Sequence, residues 1–451
     1  MENWLRKTYW NAFTLWHVRD EARLPYRRLE ETLALQNRRV RTVVAHAYET
    51  VPYYREVMNR IGLRPGDFHT ADDLARLPPL TSEQVARAPE QFLSCRYANK
   101  YGVVLHSSGT SGLNKSLYYD PAALFLALAH GHRQRIVLAH FTGRKFGYRE
   151  LVVARSDSVG ARLRNFYESF SWAPRRVDLT RGRLPPGTSS LADDIARLNA
   201  FRPDAIQGYG SYLGAIFRWA WTHKLAIFRP KVVVYGADHM PDADRLLIEH
   251  EFGVPVISFY QAAEALRIAF QCERRQGFHI NLDHVAVRVV DKDGGSVAPG
   301  ETGEIVISNL TNKAMVLLNY KLGDMVTLGT APCPCGRTLP TIERLEGRAD
   351  DLVVLPGGRF LYSLADLQEL EMTPGLVQMQ FIQEDLRRFV LRVIYVGETE
   401  WGQVRQRLDT ALRTLHGSDI ALTIERVEAI PPEPGGKVRA VISRYRPSDH
   451  A

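Results

Sequence analysis

The sequence predicts an α/β protein of two domains. The first is a large N-terminal α/β domain over residues 1–347, with buried, mostly parallel sheets plus a β-segment, and the second is a small C-terminal α+β domain over 348–451. Three observations predict this. Short apolar runs alternate with helical periods from about residue 101 to residue 261. From about 278 the pattern changes to apolar/polar alternation broken by glycine turns. The final stretch then reads β-β-α-β. Strands buried on both faces are continuously apolar, whereas a strand with one solvated face alternates.

The elements follow in order. Residues 28–50 carry Leu29, Leu33, Val40, Val43, Val44 and Ala47 on a helical period. TADDLARLPPLTSEQVAR (70–87) reads as a capped short helix, a Pro-Pro break and a second helix start. YGVVL (101–105) is a strand, and extended structure resumes over 116–119. Asp120 then reads as an N-cap and Pro121 as the first residue of a long apolar helix. Further strands are expected over 151–156, 204–210, 231–238 and 254–261. Helices are expected over 189–201, with Leu191, Ile195 and Leu198 on one face, and over 241–253, stopped by Gly253. In the C-terminal domain Phe389, Leu391, Val393 and Tyr395 share a strand face; Trp401, Val404, Leu408, Leu412 and Leu415 share a helix face.

A chain of 451 residues exceeds one small core, and 45% hydrophobic with 24% charged residues is an ordinary globular composition. The net charge of +8 comes from scattered arginine pairs such as Arg38-Arg39 and Arg274-Arg275. That fits a dispersed basic surface or a preference for anionic small molecules, and nucleic acid is not an expected partner. The N-terminus lacks the apolar core of a signal peptide and no run is apolar enough to span a bilayer, so the expected location is cytoplasmic, with no membrane partner. Four cysteines are too few for a disulfide scaffold.

The loop within HSSGTSGLNKS (106–116) is the densest chemical signal. Without Cβ atoms in the way, glycine amides approach an anion closely, and hydroxyls and Lys115 add donors and charge. A polyphosphate is the natural ligand. Asn114 precedes Lys115 and a strand follows, so this is not a Walker A loop. Alone, the stretch reads equally well as a Ser/Gly hairpin turn.

Other stretches change its meaning. SSGTSGLNK resembles the phosphate loop of the adenylate-forming superfamily, which includes the acyl-CoA ligases. Phe259-Tyr260-Gln261-Ala262-Ala263-Glu264 resembles the motif that stacks adenine and holds magnesium; Tyr235-Gly236-Ala237-Asp238 resembles the adenine-side strand end that precedes it. Tyr320-Lys321-Leu322-Gly323-Asp324 resembles the ribose motif, Gly347-Arg348-Ala349-Asp350-Asp351 the hinge, and Gly435-Gly436-Lys437 with Arg439 the C-terminal lysine motif. VPYYREVMNRIGL (51–63), DDLARLPPLT, Cys272…Gly277-Phe278-His279 and Cys333-Pro-Cys335-Gly336-Arg337 are similar to the phenylacetate–CoA ligase-like branch.

The resemblance implies ATP-dependent activation of a carboxylic acid as an acyl-adenylate, with transfer to CoA. Ser107, Ser108, Gly109, Thr110, Ser111, Gly112 and Lys115 would serve the phosphates. Gly236, Ala237, Asp238 and Tyr260 would bind adenine; Asp324 and Arg348 would fix the ribose; Glu264 would hold Mg²⁺. Lys437 would be the catalytic lysine, carried by a small domain that rotates about Asp350, with Gly357-Gly358 facing the acceptor. Tyr209, Gly210, Tyr235, Gly236 and Phe259 would border the acid, which suggests a flat or aromatic acyl group. An adenylating ligase that passes the acyl group to an amine, a hydroxyl or a carrier thiol is the alternative, and a zinc-containing binding protein without chemistry is a third reading. A homodimer is compatible with each. Ala263 stands where the family has Thr, Gln261 where it has Gly, Asn319 where it has Arg and Asp238 where it has Glu.

Cys272, His279, Cys333 and Cys335 are expected to make a Cys₃His set of the type that closes around structural zinc; the alternative is ordinary buried or surface thiols and an ordinary histidine. Cys95 is expected to be a lone core thiol, and His106 either lines the substrate pocket or ends a strand.

Overall fold

The computed structural model describes residues 2–97, 100–108, 114–172, 181–348, 353–355, 360–361, 370, 373, 375–416, 420–428, 430 and 440–445. The chain forms two compact units: residues 1–150, 154–182 and 257–345 in one, and 151–153, 183–256 and 346–451 in the other.

In the first unit the helix Glu2–Glu21 lies along the helix Pro121–Thr142. Trp10 stacks on Phe125 at 4.6 Å between ring centroids, and Glu21 reaches Arg133 at 2.6 Å. The helix Leu29–Thr50 buries Val40, Val43, Val44 and Ala47, as its period predicts. Leu33 remains exposed; the buried Gln36 lies one turn on and donates to the Val285 carbonyl over 3.2 Å. The 70–87 segment forms a 3₁₀ turn, Asp72–Arg76, and the helix Ser82–Arg87, whose Thr81 and Gln84 make a capping box.

Strands Val103–Ser108 and Asn114–Tyr119 pair antiparallel, with Ser107 opposite Lys115. Asp120 ends the second strand and starts the long helix. Its Oδ1 accepts from the Ala123 amide over 2.9 Å and its Oδ2 from the Lys313 amide over 2.8 Å. Strands from Val256–Tyr260 through Ala269–Phe270, Phe278–Ile280 and Thr341–Arg348 pair antiparallel, as do Val285–Val290, Thr302–Asn309 and Tyr320–Leu328. The alternation in the sequence after 278 anticipates this pairing.

One expectation is corrected here. Cys95 is exposed, not a core thiol. It sits in the surface 3₁₀ turn Cys95–Tyr97, and its neighbour Ser94 is buried in its place, donating its amide to the Ala314 carbonyl over 2.9 Å.

In the second unit Ala205–Gly208 and Val232–Tyr235 pair parallel, as expected of continuously apolar strands. The helices Leu191–Phe201, Gly210–Thr222 and Asp242–His250 contribute Ile195, Leu198, Leu213, Phe217 and Ile248 to one core. Gly210 must lack a side chain, because a Cβ there would lie 2.7 Å from the Met240 amide nitrogen. Farther along the chain, Leu376–Gln383, Arg388–Tyr395, Ala421–Arg426 and Val441–Ser443 make a four-stranded sheet. Phe389, Leu391, Val393 and Tyr395 are buried with Val404, Leu408 and Leu412 from the helix Trp401–His416, and Trp401 packs beside them. The Leu415 side chain lies outside the described residues.

Candidate functional site

The phosphate-loop hairpin brings Lys115 beside Glu264. Lys115 Nζ donates to Glu264 Oε1 over 2.5 Å and to the Tyr320 hydroxyl over 2.7 Å. Tyr320 in turn donates to Glu264 Oε1 over 3.2 Å. All three residues are buried. Burial works to raise the Glu264 carboxyl, but the charge and hydrogen bond of Lys115 and the Tyr320 hydroxyl outweigh it, so Glu264 is held below the usual range. It is an ionised oxygen ligand of the kind a hard cation takes.

Ser107 lies opposite Lys115 in the hairpin, and its Oγ is buried with no hydrogen-bond partner among the described residues. A buried, unsatisfied hydroxyl beside an ammonium suits an anionic oxygen ligand. Gly109, Thr110, Ser111 and Gly112 lie outside the described residues, and so does the Ser108 side chain. His106 is exposed and its Nδ1 lies 3.3 Å from Ser116 Oγ.

Tyr260 ends its strand, and its hydroxyl donates to Asp324 Oδ2 over 2.6 Å. The pair joins the predicted stacking ring to the predicted ribose carboxylate. Phe259 is buried, and the pleat turns it to the face opposite Tyr260. Two departures from the family pattern, Ala263 and Asn319, lie in hydrogen-bonded backbone, and only Asn319 acts through its side chain. The Ala263 carbonyl accepts from the Tyr119 hydroxyl over 2.7 Å. Asn319 holds φ at +53°, a conformation asparagine tolerates, while its side chain donates to the Leu77 carbonyl over 2.6 Å and accepts from Arg288 over 3.0 Å.

In the second unit Asp238 accepts from the Gly210 amide and the Ser211 hydroxyl, so it anchors the first turn of the helix Gly210–Thr222. Gly236 donates its amide to the Gly208 carbonyl over 3.2 Å, and Ala237 adopts φ +70°. Tyr209 stands at the N-cap of that helix, and Tyr235 packs partly against the core of this unit. Arg348 is the last residue of the strand Thr341–Arg348. Asp350, Gly357, Gly358, Gly435, Gly436, Lys437 and Arg439 lie outside the described residues.

The four predicted zinc ligands converge. One ligand atom from each of Cys272, His279, Cys333 and Cys335 lies within 4.8 Å of every other. Cys272 Sγ is 3.8 Å from Cys333 Sγ, and Cys335 Sγ is 3.3 Å from His279 Nε2. Tetrahedral zinc separates two thiolates by about 3.8 Å and a thiolate from an imidazole nitrogen by about 3.6 Å, given its usual bond lengths. His279 Nδ1 lies 3.3 Å from the Leu339 carbonyl; donation there leaves Nε2 as the free ligand atom.

Tyr320 escaped the prediction as a site residue, although it opens the ribose motif. The strand register shifts between Lys321 and Met325, with Gly323 at φ +83°, so simple alternation along the strand does not predict where Tyr320 and Asp324 lie.

Comparison with known proteins adds three findings. Residues 366–444 match the family described as the CapK C-terminal domain. A phenylacetate-coenzyme A ligase from Thermus thermophilus is 28% identical over 345 residues, covering 73% of each chain, and Protein CapK from Staphylococcus aureus is 22% identical over 428 residues, covering 93% of this chain and 91% of its own. The crystal structure of a 2-hydroxyisobutyryl-CoA ligase in the postadenylation state has the same fold, with a TM-score of 0.75 at 19% identity over 93% of this chain and 90% of that one.

Proposed function

We propose that the chain belongs to the adenylate-forming superfamily, on its phenylacetate–CoA ligase-like branch, and that it is an enzyme that activates a carboxylic acid with ATP and passes the acyl group to CoA. The observation that carries the reading is the buried contact of Lys115, Glu264 and Tyr320 beside the Tyr260–Asp324 pair. It brings together in space four stretches that the resemblance assigns to phosphate, metal, adenine and ribose.

A carboxylate is a poor electrophile, and attack of its oxygen on the ATP α-phosphorus, with pyrophosphate leaving, gives the acyl-adenylate. The step needs charge neutralisation and alignment more than a general base. Lys115 and the loop over 107–112 bind the β,γ-phosphates, and Ser107 Oγ gains the partner it lacks. Tyr260 stacks on adenine, held in place by Asp324, which meets the ribose. Magnesium, held by Glu264, would supply charge neutralisation at the phosphates. Lys437, brought up by a small domain turning about Asp350, would bridge the acyl and α-phosphate oxygens as a point charge. Cys272, His279, Cys333 and Cys335 would hold a structural zinc, which would tie two distant stretches of chain together. The enzyme works in the cytoplasm.

One observation favours a second acceptor. The similarity to CapK spans 93% of the chain, whereas that to the Thermus thermophilus ligase spans 73%, and residues 366–444 match the CapK C-terminal domain. The C-terminal part is the one that faces the acceptor in this superfamily, so an amine, hydroxyl or carrier thiol in place of CoA is the alternative.

Acid-dependent ATP–pyrophosphate exchange without CoA tests the first half-reaction. Exchange with one acid class, lost in Lys437→Ala and Glu264→Gln, is expected. Absence of exchange across aryl, fatty, amino and dicarboxylic acids, in folded protein supplied with magnesium, overturns the reading. Adding CoA or amines then identifies the acceptor by its acylated product.

A further inference from the structure

Two arginines beside the helix Pro121–Thr142 are neutralised in different ways. Arg133 is paired on both sides, to Glu21 at 2.6 Å and to Asp283 at 2.8 Å. Arg267 has no such partner. Its Nε donates to the Ala127 carbonyl over 2.7 Å and its NH1 to Gln134 Oε1. Its NH2 lies over Gly131, where an added Cβ would come within 2.8 Å of it. Among the described residues no carboxylate forms an ion pair with this guanidinium. The groups that act on it electrostatically are the Tyr167 phenol, the Arg135 guanidinium and Glu21, which Arg133 already holds. Arg267 is half-buried, and a cation shielded from water without a counter-ion is costly; the molecule shows at Arg133 how it otherwise compensates one.

The surroundings of Arg267 are poor in acceptors and rich in donors. Gln134 is 7% exposed; its Oε1 accepts from Arg267 and, at 3.5 Å, from Gln261 Nε2. Its own Nε2 is buried with no hydrogen-bond partner among the described residues. Gln261 follows the stacking Tyr260 in sequence, and Arg267 lies three residues past Glu264. The intervening turn closes on itself, with the Leu266 amide donating to the Ala262 carbonyl over 2.6 Å and the Ile268 amide to the Tyr260 carbonyl over 3.1 Å. The unsatisfied donor of Gln134, on the helix Pro121–Thr142, and the Arg267 guanidinium that binds Gln134 therefore lie beside the turn that carries the groups assigned to adenine and magnesium.

We propose that Arg267, Gln134 and Gln261 receive a second carboxylate on the acid that is activated, so that the substrate class is a dicarboxylic acid. This rests on the adenylation reading above and names the substrate of that site; it differs from the flat or aromatic acid that Tyr209, Tyr235 and Phe259 suggest. A planar guanidinium and a side-chain amide match the two oxygens of a carboxylate, and binding supplies the counter-charge that the chain omits. A neutral acid leaves the same donors unpaired, and a site built to hydrogen-bond a group discriminates strongly against an analogue that lacks it.

The test compares each of a series of aliphatic and aromatic dicarboxylic acids with its monomethyl ester. ATP–pyrophosphate exchange is measured for the wild type, Arg267→Met and Gln134→Leu, with the fold of each checked by circular dichroism. The wild type is expected to favour one diacid over its monoester by about tenfold or more in kcat/KM. Arg267→Met should bring that ratio close to one, with the loss falling on the KM for the diacid. Gln134→Leu should lower the ratio in part, and it carries the test if Arg267→Met does not fold. A wild type that uses the monoester as well as the diacid, or variants that keep the full preference, overturns the inference. Melting temperatures with diacid and no ATP separate it from the adenylation reading. If no acid supports exchange, yet a diacid stabilises the wild type and not the variants, adenylation falls and the carboxylate receptor stands. Exchange with neutral acids alone leaves adenylation standing and the receptor refuted, and neither exchange nor stabilisation refutes both.

Discussion

Lys115 Nζ lies 2.5 Å from Glu264 Oε1, and both side chains are 6% exposed, so each is the counter-ion of the other inside the fold. The two residues are 149 apart in sequence. Tyr320 binds both ends of the pair, which fixes the geometry as well as the charge.

Removing one partner leaves the other charged, buried and alone. Lys115→Met should cost roughly 3–5 kcal/mol of stability without nucleotide, and the double variant Lys115→Met/Glu264→Gln should recover a large part of it. Denaturant unfolding midpoints of the wild type, Lys115→Met, Glu264→Gln and the double variant check this. A double variant less stable than either single one contradicts it. Both single variants should also lose pyrophosphate exchange.

The Tyr260–Asp324 bond separates stacking from positioning. Tyr260→Phe keeps the ring and removes one charge-assisted hydrogen bond, worth about 1.5–3 kcal/mol. The expected result is a KM for ATP raised by about tenfold or more with kcat little changed. Tyr260→Ala, which also removes the ring, should raise KM further. Steady-state kinetics at saturating acid decide the point.

Zinc content is directly measurable. Purified protein should carry about one zinc per chain by elemental analysis, given the closed tetrahedral ligand set. Cys272→Ser and Cys335→Ser should each lower that content and the melting temperature. Protein of full stability that holds no zinc refutes the site.

A pH effect follows from Asp244. Burial pushes its carboxyl up to about 6, against the pull of Arg218, whose NH2 lies 2.7 Å away. An acid whose pKa is raised on folding makes its largest contribution to stability below the unfolded value of 3.8; that contribution is lost as pH rises to about 6. A rise from 3.8 to about 6 corresponds to roughly 3 kcal/mol. Asp244→Asn should flatten this part of the stability–pH curve between pH 4 and about 6, measured by denaturant unfolding at each pH. An identical slope in the variant rejects the assignment.

Local patterns made most of the elements legible. The apolar period of 189–201, the Asp120-Pro121 start and the alternation at Phe389, Leu391, Val393 and Tyr395 are all found as read. Leu33 and Cys95 were misjudged because periodicity and residue type give the preferred side of a chain segment, not what the rest of the molecule lays against it. The site motifs were legible as short strings, and the cysteine and histidine ligands as a composition.

What the sequence determined by itself is therefore the order of elements, the helix starts and stops, and the residue types available for nucleotide and metal chemistry, because each depends on neighbours a few positions away. Tertiary structure alone decided which of those residues meet. Tyr320 completes the Lys115–Glu264 pair, Asn319 becomes a structural hydrogen-bonding residue, and among the described residues Arg267 has no ion-paired acid while Arg133 has two. Charge compensation and hydrogen-bond satisfaction act between groups hundreds of positions apart, and only the folded chain sets those distances.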